Sequence, residues 1–116
     1  MRRERLYLLD ILEAADAIQK FLDGVEAAGF LQDDLLRSAV LQKLSIIGEA
    51  ASHLPKSLCE RHPEIDWRGI VGFRNIAIHS YFAIEWPIVW VAATEEAPEL
   101  RERVAATLAA EFPAES

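Results

Sequence analysis

The stretch LRSAVLQKLSIIGEAASHL, Leu36 to Leu54, decides the fold. Leu36, Val40, Leu44, Ile47, Ala51 and Leu54 recur at spacings of 4, 4, 3, 4 and 3, the period of a helix with one apolar stripe. The other side of this helix is less ordinary. Ser38, Gln42, Ser45, Glu49 and Ser52 form a polar line with a single charge, where a solvated face would carry lysines and glutamates. Gly48 lies beside that line. A glycine inside a helix costs roughly 1 kcal/mol against alanine and is kept where another backbone must come close. The segment IIGEAA therefore reads as a tight helix contact next to a half-buried polar surface.

Working outward, Tyr7, Ile11, Ala14, Ile18, Phe21, Val25 and Ala28 recur at spacings of 4, 3, 4, 3, 4 and 3, with Glu13, Asp16, Lys20 and Asp23 on the opposite side. That predicts a first amphipathic helix. AAGFLQDD then supplies a glycine and two aspartates suited to a helix stop and a new N-terminus. Downstream, Pro55 and Pro63 bound the loop PKSLCERHPEID, and Asp66 is suited to cap a third helix starting at Trp67. On that helix Arg68, Gly72, Asn75 and His79 share one face, and Ile70, Phe73 and Ala77 share another. Pro87 and Pro98 fit first helical turns and open two more helices. Neither repeats nor β-type alternation are present. The expected architecture is all-α, an up-down bundle of four principal helices plus a C-terminal helix, in one domain spanning 1–116.

Composition narrows the function classes. The single Cys59 among 116 residues forms no internal disulfide and supports no zinc site. Asp10 interrupts the apolar run of MRRERLYLLDIL, which argues against a signal peptide, and PIVWVAA is too short to span a bilayer. A soluble cytoplasmic protein with no membrane role is expected. The net charge of -7 argues against general coating of nucleic acid. Its distribution is uneven, however: residues 1–36 carry 4 Lys/Arg against 8 Asp/Glu, 37–74 carry 6 against 4, and 75–116 carry 2 against 7. An anionic ligand would have to bind a small focused site in the middle segment, which ends at Arg74.

That segment runs into RNIAIHSY, Arg74 to Tyr81. Five residues turn a regular helix through about 500°, so Arg74 and His79 leave it about 140° apart. They converge on one atom only if the helix frays near His79 or if two copies of the segment meet, as in a two-fold dimer. Histidine exchanges protons near neutrality and arginine offers a permanent planar cation to a phosphate. Together they suffice for metal-independent RNA cleavage, in which a base deprotonates the ribose 2′-hydroxyl and a cation stabilises charge on the phosphoryl oxygens. By spacing alone, an interfacial ion-pair arginine and a core histidine are the more ordinary explanation of the pattern.

RNIAIHSY resembles the Arg-x4-His motif of the HEPN superfamily, and its form Arg-x4-His-x-Tyr is similar to that of the HepT-like ribonuclease toxins. LLDILEAADAI, AVLQKLSIIGEAASHLP, IDWRGIVGFRNIAIHSYF and IVWVAATEEAPEL fall in the order of such a chain and together span nearly all of it. The resemblance implies that Arg74 and His79 are the catalytic pair and that Asn75 is the polar position after the arginine. It implies that Tyr81 is the tyrosine to which a MntA-like nucleotidyltransferase antitoxin transfers AMP, in a type VII-like toxin-antitoxin pair. It also implies a homodimer with a composite cleft, RNA as substrate, and neither cofactor nor metal. The alternative is a noncatalytic HEPN nucleotide-binding or interaction module that partners a nucleotidyltransferase.

Other polar residues carry less. Glu49 either hydrogen-bonds an arginine in the cleft or is a helix-surface carboxylate, and Arg68 either meets phosphate or makes an exposed ion pair. His53 and His62 read as helix-end or loop residues, Asp10 as a surface acid, and Trp86 and Trp90 as packing groups.

Overall fold

The computed structural model describes residues 2–79 and 83–113, with backbone alone at Arg2 and at 76–79. Among the described residues seven α-helices follow one another: α1 Arg2–Phe21, α2 Ala27–Gln32, α3 Asp34–Ser52, α4 Lys56–Arg61, α5 Trp67–His79, α6 Trp86–Val91 and α7 Ala97–Glu111. No strand occurs among the described residues. The all-α bundle expected from periodicity is what the chain forms, with α3 at its centre, packed on α1 and α5, while α7 packs on α1.

On α1 the buried line is Leu8, Ile11, Ala14, Ala15 and Ile18. Phe21, on the expected stripe, is exposed, and Leu22 takes the buried place. A 4-3-4-3 spacing averages 3.5 residues per turn, so on a straight helix of 3.6 the stripe drifts by about 20° each heptad. The first helix is also shorter than the stripe. It stops at Phe21, and the chain turns at Gly24 with φ 74, a left-handed conformation that a residue without Cβ adopts at no steric cost. Val25 falls in the connection and Ala28 in the short α2.

The aspartates of AAGFLQDD do start a helix. Asp33 caps α3, its Oδ1 accepting from the Leu36 N–H at 3.0 Å. Val40, Leu44, Ile47, Ala51 and Leu54 are buried as their spacing predicts. Between the two prolines the structure adds α4, a helix not expected from sequence, which buries Leu58. Asp66 caps α5 as expected, its Oδ1 accepting from the Gly69 N–H at 3.1 Å.

The last two expected helices are joined. Between α6 and α7 runs a π-helical turn, Ala92–Glu96, in which the Ala97 N–H donates to the Ala92 carbonyl. Proline has no N–H, and its ring collides with the carbonyl four residues back in a regular helix. The wider π turn lets Pro98 follow Thr94 without a break, and Thr94 Oγ1 donates back to the Trp90 carbonyl at 2.7 Å. Trp86 and Trp90 pack as expected, edge-on and tilted against the fully buried Phe30, with centroids at 6.4 Å and 5.2 Å. The Arg37 guanidinium lies over Trp86 at 4.9 Å. Among the described residues no helix is long and apolar enough to cross a membrane.

Candidate active site at the contact of α3 and α5

Gly48 is a point of close approach between the two helices. A Cβ built there would lie 2.8 Å from the Arg74 backbone nitrogen, 2.9 Å from the Arg74 Cβ and 2.9 Å from the Ile70 carbonyl oxygen. Only glycine lets α5 approach this near, and the residue it brings against α3 is Arg74. The helix-propensity cost of Gly48 is thus exchanged for the placement of the arginine that opens RNIAIHSY.

The next residue on α3 meets that arginine. Glu49 Oε1 lies 2.5 Å from Arg74 Nε, with side chains 49% and 37% exposed. Nε itself is shut off from solvent, and the carboxylate sits off the N–H axis, so the contact is an ion pair rather than an aligned hydrogen bond. Glu49 is thus a half-exposed carboxylate on the surface of α3 that makes an ion pair with Arg74. The other oxygen, Oε2, lies 2.8 Å from His53 Nε2, one helical turn further along α3. The His53 ring stacks on Tyr7 of α1, with centroids 5.1 Å apart and planes 17° from parallel. Sequence reading missed this role for His53. The i, i+4 spacing from Glu49 was its only visible sign.

The other candidates are placed as follows. Asn75 is exposed beside Arg74, and Arg68 is exposed a turn and a half earlier on α5. His79 is the last residue of α5, whose backbone runs unbroken from Trp67; its side chain lies outside what the structure describes. Tyr81 lies outside the described residues altogether. A cleft of about 260 Å³, walled by Leu44, Ile47, Ile70, Phe73, Leu100 and Arg103 among others, opens elsewhere on the same helix pair. Neither Arg74 nor Glu49 lines it.

A second charged cluster joins α4 to the end of α7. Arg61 reaches Glu111 with both Nε (2.9 Å) and Nη2 (2.7 Å), and His62 Nε2 lies 2.7 Å from the same carboxylate. These bonds, Arg61's first and His62's second, hold the Glu111 carboxyl at about 2, well below the usual range. Arg103 donates to the Glu64 carbonyl and pairs with Glu99 at 2.6 Å. Cys59 is pushed above the ordinary thiol range by burial and, less, by Glu60, the wrong direction for a nucleophile. Among the described residues no group of three or more His, Cys, Asp or Glu side chains is placed to hold a metal ion.

The family described as "Ribonuclease HepT-like" matches residues 11–107, and this chain belongs to that family. It is similar to the "Probable ribonuclease HepT" of Thermococcus cleftensis, 36% identical over 86% of this chain and 91% of the other. It is also similar to two proteins provisionally named as RNases. The one from Methanocaldococcus jannaschii is 34% identical over 89% of this chain and 94% of its own length. The one from Caldanaerobacter subterraneus is 36% identical over 90% and 93%. No solved structure gives a significant match.

Proposed function

We propose that this chain is a metal-independent endoribonuclease, the toxin of a type VII-like toxin-antitoxin pair, working in the cytoplasm as a homodimer. The observation that carries the reading is the Gly48 contact, which spends helix propensity to set Arg74 against α3 within a HepT-like ribonuclease fold. With Nε engaged by Glu49, the Nη edge of the planar guanidinium is the one to receive an RNA phosphate. His79 takes the proton from a ribose 2′-hydroxyl, and the alkoxide attacks the adjacent phosphorus. The P–O5′ bond breaks, leaving a 2′,3′-cyclic phosphate on one product and, once protonated, a 5′-hydroxyl on the other. Arg74 stabilises the charge on the phosphoryl oxygens throughout.

The continuous helix supports the dimer. Since α5 is unbroken to His79, fraying before that residue does not bring the pair together, and about 140° separates their directions on a regular helix. A second copy supplies the missing half of the site. Tyr81 is the control point: a MntA-like nucleotidyltransferase transfers AMP from ATP to its hydroxyl, releasing pyrophosphate. The added phosphodiester brings bulk and negative charge two residues from His79 and competes with RNA for Arg74.

Incubation of the purified protein with single-stranded RNA in EDTA should give fragments ending in 2′,3′-cyclic phosphate, from a species of twice the 13.0 kDa chain mass. Tyr81→Phe should cut equally well and take up no AMP mass from the transferase and ATP. RNA that is bound but left whole by the dimer would return the noncatalytic reading.

A further inference from the structure

The carboxylate that holds Arg74 is itself held. Glu49 is half-exposed and flexible, and confining such a side chain to one rotamer costs more than a single exposed ion pair returns. Its two oxygens nevertheless meet two partners, Arg74 Nε at 2.5 Å and His53 Nε2 at 2.8 Å. The second anchor comes at little further entropic cost, because His53 sits one turn away on the same helix and its ring is restrained by the Tyr7 stack. Three helices contribute in sequence: Tyr7 from α1, Glu49 from α3 with His53 at the C-cap of α3, and Arg74 from α5.

We propose that His53, backed by Tyr7, is a positioning residue for Arg74. By donating its Nε2–H to Glu49 Oε2, it fixes the carboxylate that fixes Nε, and so sets the plane in which the guanidinium meets phosphate. The inference rests on reading Arg74 as the phosphate-binding cation of a ribonuclease. The role requires the proton on Nε2, which the imidazolium and the Nε2–H tautomer of neutral imidazole both supply.

The test uses the full-length protein and two readouts. One is the Arg74 Nε–H signal in a ¹H–¹⁵N spectrum, assigned by its absence in Arg74→Lys. The other is steady-state cleavage of a fluorescein-labelled single-stranded oligoribonucleotide of mixed sequence. His53→Leu should shift and broaden the Arg74 signal and lower kcat about fivefold, the scale of one exposed charged pair, with KM changed less. His53→Gln, whose side-chain amide reaches Glu49, should restore both. Tyr7→Leu should fall between. His53→Asn, too short to reach, repeats the leucine result if leucine disturbs the fold. An Arg74 signal unmoved in His53→Leu and His53→Asn, or a glutamine no better than leucine, overturns the positioning role. If wild type cuts no RNA while the Arg74 signal still follows residue 53, the ribonuclease reading fails and the positioning of Arg74 stands.

Discussion

Two charged clusters sit at opposite kinds of place in this bundle, and each is built around one glutamate. Glu111 is 17% exposed and takes Arg61 and His62, residues 50 and 49 positions earlier, so it ties the end of α7 to α4. Glu49 is 49% exposed and takes one partner from the C-cap of its own helix and one from α5. The first closes a loop of chain, and its bidentate geometry leaves the carboxylate little else to do. The second holds an arginine at a position that solvent, and therefore a polyanion, can reach. A partly buried carboxylate with a matched arginine makes a clasp. A half-exposed one beside a glycine contact makes a mount for a cation.

The largest expected effect breaks the mount. Gly48→Ala should destabilise the protein by about 2 kcal/mol in urea unfolding, because the new methyl meets α5 backbone rather than a side chain that can swing away. The same change at Gly72, on α5 itself, is the control. A Cβ there meets nothing within 4 Å, and Gly72→Ala should stabilise by up to about 1 kcal/mol from helix propensity alone. Opposite signs at two helical glycines would show that α3 and α5 are held at glycine distance. Equal signs would mean that they are not.

The clasp is sharpened by pH. Because the Glu111 carboxyl is lowered from 4.5 to about 2, its contribution is present in full above the unfolded value and is lost as pH falls through the folded one. The stability gap between wild type and Glu111→Gln should therefore be steady near pH 6 and close between about 4.5 and 2, followed by circular dichroism in urea. A gap that does not narrow on acidification would remove the clasp. No such acid-dependent gap is expected for Gly48→Ala, whose cost is steric.

These clusters also show what sequence makes legible. The Gly48 contact was visible as a propensity cost with no local reason, and Glu49 stood one residue away on a polar stripe. Helix identity, the Asp33 and Asp66 caps and the packing role of Trp86 and Trp90 followed from spacing and chemistry. The Glu111 clasp was not legible, because partners 49 and 50 residues apart leave no local pattern. The π turn at Ala92–Glu96 was hidden for a different reason. Pro98 permits either a fresh start or a widened turn, and packing rather than local sequence decides between them. The end of α1 was misread because a 3.5-residue repeat continued past the point where Gly24 turned the chain.

The most direct measurement of the central claim separates holding phosphate from breaking its ester. An oligoribonucleotide and its fully 2′-O-methylated counterpart, which lacks the attacking hydroxyl, are compared by fluorescence anisotropy and gel in EDTA. Wild type should bind both and cut only the first. His79→Ala should bind both and cut neither, since it retains the Arg74 contact and lacks the base. Arg74→Lys should bind both more weakly and cut neither, because a point charge does not reproduce the planar donor edge. Cleavage retained in His79→Ala, or binding and cleavage by Arg74→Lys at the wild-type level, would contradict the account.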